Sequence, residues 1–100
     1  MSYKTKGRLQ REHNLNCCLE LAKQTHYKEI TRDSAALCSG ITSGLISHYF
    51  GSMEQLRQEI ISLAVTRDEH AVIAQSLVSR EPQTESLSTE VKKSALLHCL

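Results

Sequence analysis

Tryptophan is absent from this chain of 100 residues, proline occurs once, and Phe50 with three tyrosines makes up the whole aromatic complement. Runs of alternating Val, Ile and Thr are missing as well, so β-strands have no support. No apolar stretch approaches the roughly 20 residues needed to cross a bilayer, and the polar, basic N-terminus carries no signal-peptide pattern. A cytoplasmic protein without membrane contact is the expectation. Zinc-type spacings are also lacking. Cys17 and Cys18 are adjacent and so point to different faces of a helix, Cys38 stands alone, and Cys99 is next to last. His13, His26, His48, His70 and His98 are scattered. The expectation is buried free thiols and no metal site. No nucleophile–base pair, carboxylate pair or phosphate-binding loop appears, so neither an enzyme nor a bound cofactor is expected.

What is present suffices for one folded domain with a modest core: 40% of the residues are hydrophobic and 23% charged. The net charge of +1 hides an asymmetry, because residues 1–53 carry seven Lys/Arg against four acids. Lys4, Lys6, Arg8 and Arg11 concentrate that excess near the N-terminus, and residues 1–8 read as a basic arm. Leu15, Cys18, Leu19 and Ala22 then recur at helical spacing over residues 9–24. Thr31 offers an N-cap for a short helix over Arg32 to Ser39, and Gly40 fits the left-handed residue that ends it. Thr42 caps a second short helix to about Phe50. Ser52 opens a third, with Gln55 completing a capping box and Leu56, Ile60, Leu63 and Ala64 on its apolar face. Thr66 with Glu69 forms another capping-box pattern, which predicts a break there before a helix to about Ser79. Residues 79–86, with the single proline Pro82, read as a linker, and Ser88 caps a last helix.

Ala36, Gly40 and Ile46 have the spacing of a helix-turn-helix: a small residue where the helices cross, a glycine for the turn, and an aliphatic lock. Ile41 fills the corner. Ser43, Gly44, Leu45, Ser47 and His48 are left on the outer side of the second helix, where short polar side chains suit entry into a major groove.

Thr31, Ala36, Gly40, Ile41, Thr42, Gly44, Ile46, Phe50, Ser52, Glu54 and Leu56 together resemble the N-terminal DNA-binding domain of the tetracycline-repressor (TetR) family, over about residues 8–66. The resemblance implies an all-α, homeodomain-like bundle of three to four helices with a helical extension toward the C-terminus. Its parts are the basic arm (1–8), the helix-turn-helix domain (9–66) and a short dimerisation extension (67–100). The implied function is that of a sequence-specific double-stranded-DNA-binding regulator, a dimeric repressor that occludes an inverted-repeat operator. The alternative is a helical protein-interaction module that has lost DNA binding. Lys6, Arg8, Thr31, Arg32, Thr42, Ser43, Gly44, Leu45, Ser47, His48 and Tyr49 are the DNA-facing residues under the first reading. Arg32 reaches a phosphate beside the helix N-terminal amides. The basic arm enters the minor groove or raises the local potential. Leu45 meets a thymine methyl or is half-buried; Tyr49 is a core aromatic or a phosphate contact.

Several positions depart from the family. Ser47 replaces the usual tyrosine, Tyr49 the histidine before Phe50, and His26 the glycine that ends the first helix. Met53 replaces a lysine that grips phosphate, so His48, Tyr49, Thr31 and the arm must supply more of that contact. Family members carry a long second domain that binds a small molecule and dimerises. Only residues 67–100 follow here, too few to enclose a typical ligand pocket, so no small-molecule inducer is expected. The apolar residues Ile73, Leu77, Val78, Leu87, Val91, Ala95, Leu96 and Leu97 are expected to join two copies.

Overall fold

The first helix, α1, spans Tyr3–Gln24, and its register is set by a stripe of Asn14, Cys18, Leu19 and Ala22 that is buried throughout. The computed structural model describes residues 3–98, with side chains from Gly7 to Leu97. A single 3-10 turn (Tyr27–Glu29) leads into α2 (Arg32–Ser39), α3 (Ser43–Phe50) and α4 (Met53–Thr66). Then come α5 (His70–Val78), α6 (Pro82–Glu85) and α7 (Thr89–His98). The fold is all-α, and no strand occurs among the described residues.

The helix starts follow local chemistry. Thr31 and Ser52 each accept a hydrogen bond from the backbone N–H three residues on, and Ser34 and Gln55 return it, so both form capping boxes. Thr42 caps α3 by accepting from the Leu45 N–H at 3.3 Å. The expected box at Thr66 does not form. Its hydroxyl donates instead to the Ser62 carbonyl, and α5 starts behind Glu69 with no side-chain cap.

Three helices end in one way. After α2, Gly40 (φ 71°) donates to the Leu37 carbonyl and Ile41 to that of Ala36, closing the left-handed turn of a Schellman motif. Asp68 (φ 57°) does the same after α4 and Arg80 (φ 59°) after α5, with Glu69 and Glu81 donating back to Ala64 and Ser76. Gly51 (φ 82°) ends α3, and a Cβ there would collide with the Gln55 side chain that closes the α4 capping box.

One core joins these elements. Leu19, Ala22, Tyr27, Ile30, Ala35, Ile46, Leu56, Ile60, Ile61, Val72 and Ile73 are all buried within it. α5 packs against both α1 and α4, so the helical extension after Thr66 shares the core of the helices before it. α7 lies on α5 and buries Ala95. The segment read as a linker contains α6, because Pro82 occupies the first helical position, where a missing N–H is not needed. Thr84 is buried there. Residues 3–8, read as a basic arm, belong to the first turns of α1, which begins at Tyr3. Lys4 and Lys6 lie outside the residues whose side chains are described, and Cys99 lies outside the described residues altogether.

Candidate nucleic-acid interface

The α2–turn–α3 unit sits against α1 through a polar bond and an apolar lock. Asn14, fully buried, donates its amide N–H groups to the Ala35 carbonyl at 2.9 Å and to Ser39 Oγ at 2.5 Å. A buried amide left unpaired would be destabilising, so these bonds fix where α2 lies along α1. Ala35 and Ala36 are buried where α2 meets its neighbours, and Ile46 and Phe50 turn the inner face of α3 into the core. Ile46→Ala would cost about 2–5 kcal/mol through lost transfer energy and the cavity left behind.

The outer face of α3 is then determined. Gly44 and His48 are exposed, one turn apart, with Ser43, Leu45 and Ser47 half-buried beside them. A Cβ added at Gly44 would meet only Thr42 Oγ1, at 3.9 Å, an ordinary contact. Packing within the chain therefore does not require a glycine there. A glycine in the middle of a helix is destabilising by roughly 0.5–1 kcal/mol relative to alanine. Gly44, in the first turn of α3, brings a smaller local penalty that internal packing does not explain. Leu37, 81% exposed on α2, gives the same unit an apolar contact point.

Thr31 and Thr42 are exposed, but both hydroxyls serve as helix caps. Arg32 is exposed at the start of α2, and among the described residues no hydrogen bond or ion pair holds it. Tyr49 is half-buried: its hydroxyl donates to Gln10 Oε1 at 2.5 Å, and its ring meets Phe50 edge-on and His48 at a tilt. Tyr49 is thus tied to α1, which leaves His48 as the ring at the surface. Arg8 is exposed on α1, two residues before Gln10.

Arg11, grouped with the basic arm by its sequence position, has a structural role. Its Nη2 donates to both carboxylate oxygens of Glu59 at 2.7 and 2.6 Å, and its Nε to the Tyr49 carbonyl at 3.1 Å. The guanidinium also lies 4.5 Å from the centre of the Phe50 ring. Arg57 likewise turns inward, donating to the Ile30 carbonyl at 3.0 Å. From Asp33 to Leu56 there is no Lys or Arg at all. Among the described residues, the one exposed cation within this unit is Arg32, at its first position, and the nearest exposed one before it is Lys28.

Sequence reasoning missed Asn14, Ala35 and Gln10. Asn14 stands four residues before Cys18, and that helical spacing is the one signal in the sequence for an inward position. No family model, no curated protein and no solved structure matches the chain.

Proposed function

We propose that this protein is a sequence-specific double-stranded-DNA-binding transcriptional regulator of the tetracycline-repressor type, working in the cytoplasm. Two copies occlude an inverted-repeat operator. The observation that carries this reading is the outer face of α3. A helix held by the Gly40 turn and locked by Ile46 presents short side chains and a glycine that internal packing does not need. A recognition helix must come within contact distance of base edges, and Ser43, Gly44, Ser47 and His48 meet that requirement. Arg32, with the first amides of α2, supplies a phosphate contact, and Arg8 adds positive potential from α1. Dimerisation is assigned to Val78, Leu96 and Leu97, which remain 77%, 44% and 58% exposed.

A second reading, a helical protein-interaction module without DNA binding, is favoured by one observation. The cation-free stretch from Asp33 to Leu56 gives the α2–α3 unit little attraction for phosphate. Fluorescence anisotropy with labelled duplex DNA, from low to physiological salt, separates the two. The DNA-binding reading expects affinity that falls as salt rises. It also expects Gly44→Leu to weaken binding about tenfold or more, since about 1.4 kcal/mol of lost contact suffices, while the melting temperature is held or raised. Absence of binding at low salt would leave the interaction module.

A further inference from the structure

Three cysteines, two adjacent on α1 and one on α2, come together where α1 packs on α2, and only Cys18 is fully buried. Cys18 is fully buried, and burial pushes its thiol far above the ordinary range. Cys17 and Cys38 are half-buried and line one open groove of about 360 Å³ together with His13 and Glu20. Burial raises the Cys38 thiol above its ordinary range, with the neighbouring Cys18 and Cys17 thiols as further influences, and all three are free thiols. His13 Nε2 lies 3.7 Å from the Cys17 sulfur. Cys38 donates to the Ala35 carbonyl at 3.1 Å, which holds it on the inner edge of the groove.

We propose that Cys17 and Cys38 form a peroxide-reactive dithiol that closes to an intramolecular disulfide between α1 and α2. Cys17 is the attacking thiol, because it is the one with an imidazole beside it and the groove in front of it. Its proton passes through His13 as the sulfur attacks one oxygen of hydrogen peroxide. The O–O bond breaks, water leaves, and Cys17 becomes a sulfenic acid. The Cys38 sulfur then attacks the Cys17 sulfur, the S–O bond breaks, and the departing hydroxide takes the Cys38 proton to leave as a second water. Two thiols lose two electrons in all, and one peroxide is reduced to two waters. Cys18 stays a thiol, because it has no access to the groove. The bond would cross the seam that Asn14 already fixes, at the base of the helix-turn-helix. The inference depends only on the α1–α2 packing and is independent of whether α3 binds DNA.

The test treats the full chain carrying Cys99→Ser, which removes the cysteine near the chain end, with a small excess of hydrogen peroxide. Remaining thiols are alkylated, and peptides are mapped without reduction. The expected result is a monomer lighter by two hydrogens, with Cys17 joined to Cys38 and Cys18 alkylated only after unfolding. His13→Gln should slow closure several-fold without changing its end point, and Cys18→Ser should leave the bond intact. Cys17 and Cys38 both remaining alkylatable, or a bond from Cys38 to Cys18, would overturn the assignment. Because the mapping reads Cys17 and Cys38 in their native form, it does not depend on a variant at either position folding.

Discussion

Arg11 illustrates how much a residue's role depends on what the fold brings near it. Its charge invites a polyanion, yet Glu59, the Tyr49 carbonyl and the Phe50 ring engage it on three sides. Arg11 and Glu59 are each about one-third exposed, so solvent screening limits the pair, and Arg11→Ala is expected to cost about 1–2 kcal/mol. Chemical denaturation measures this directly. Tyr27 carries a second such bond, donating its hydroxyl to Glu81 at 2.8 Å, while Gln58 donates to the other carboxylate oxygen. Those two donors hold the Glu81 carboxyl below its usual range, first Gln58 and then Tyr27. A carboxyl lowered in the folded state adds stability above its unfolded value of 4.5, and that stability is lost as pH falls through the lowered folded value. Burial, then Lys28, lowers His26 below its usual 6.5, so acid also acts against the fold there, beginning at higher pH. Tyr27→Phe is expected to lose about 1 kcal/mol near neutrality and less as pH falls below 4.5, where Glu81 protonates first in the unfolded chain and then, lower still, in the folded one. Denaturation midpoints across pH 3–7 check the sign, and a loss that grows toward acid would contradict it.

At the scale of elements, three helices end through the same hydrogen bonds, yet only one ends on a glycine. An L-residue in the left-handed region carries a penalty of roughly 1–2 kcal/mol, and Arg80 bears it with no glycine's freedom. Arg80→Gly should therefore raise stability by up to about 1 kcal/mol, after the added chain entropy of glycine. Gly40→Val should lower it by more than that, because a β-branched residue at positive φ is strained. Equal unfolding midpoints for Gly40→Val and the native chain would mean the turn is misplaced. The same comparison explains what the sequence made legible. Gly40, Thr31, Thr42 and Ser52 have side chains, or lack one, in ways that act on the next few backbone groups, so the bounds of α2, α3 and the start of α4 could be read locally. The turns at Asp68 and Arg80 are imposed by packing on either side, and neither residue type announces a left-handed backbone. α6 was hidden because its residues are mostly polar and its proline looks like a breaker until it stands at the first helical position. Asn14 reads as a surface amide until Ala35 and Ser39 arrive to bond it. The face of α3 was legible because it follows from one buried position, Ile46. That Arg11 and Tyr49 bind other parts of the chain depends on α1 and α4 crossing near them, which no local pattern encodes.

For the molecule as a whole, the segment after Thr66 serves the core before it can serve a partner. Ile73 and Ala95 are fully buried, and Leu77 and Leu87 pack against the core, so much of the apolar surface assigned to dimerisation is used within one chain. Truncation after Arg80 removes Glu81, Thr84 and Ala95 together. It should destabilise the fold by roughly 3 kcal/mol or more instead of merely separating two copies. Leu97→Glu is the cleaner probe of association. It alters an exposed position, and under the proposed dimer it should yield a folded monomer in sedimentation while the native chain sediments as two copies. The proposed operator binding calls for a dimer, because one helix-turn-helix reads only a few base pairs, and two-fold symmetry then demands a palindromic site. The central claim, that the outer face of α3 reads DNA sequence, is tested most directly by selecting duplexes from a random pool in parallel. The native chain, Ser43→Ala, His48→Ala and Arg32→Ala are compared. The expected result is an inverted repeat enriched by the native chain, altered base preferences for Ser43→Ala and His48→Ala, and the same preferences with weaker recovery for Arg32→Ala. No enriched sequence for the native chain, or identical preferences for all four proteins, would contradict it.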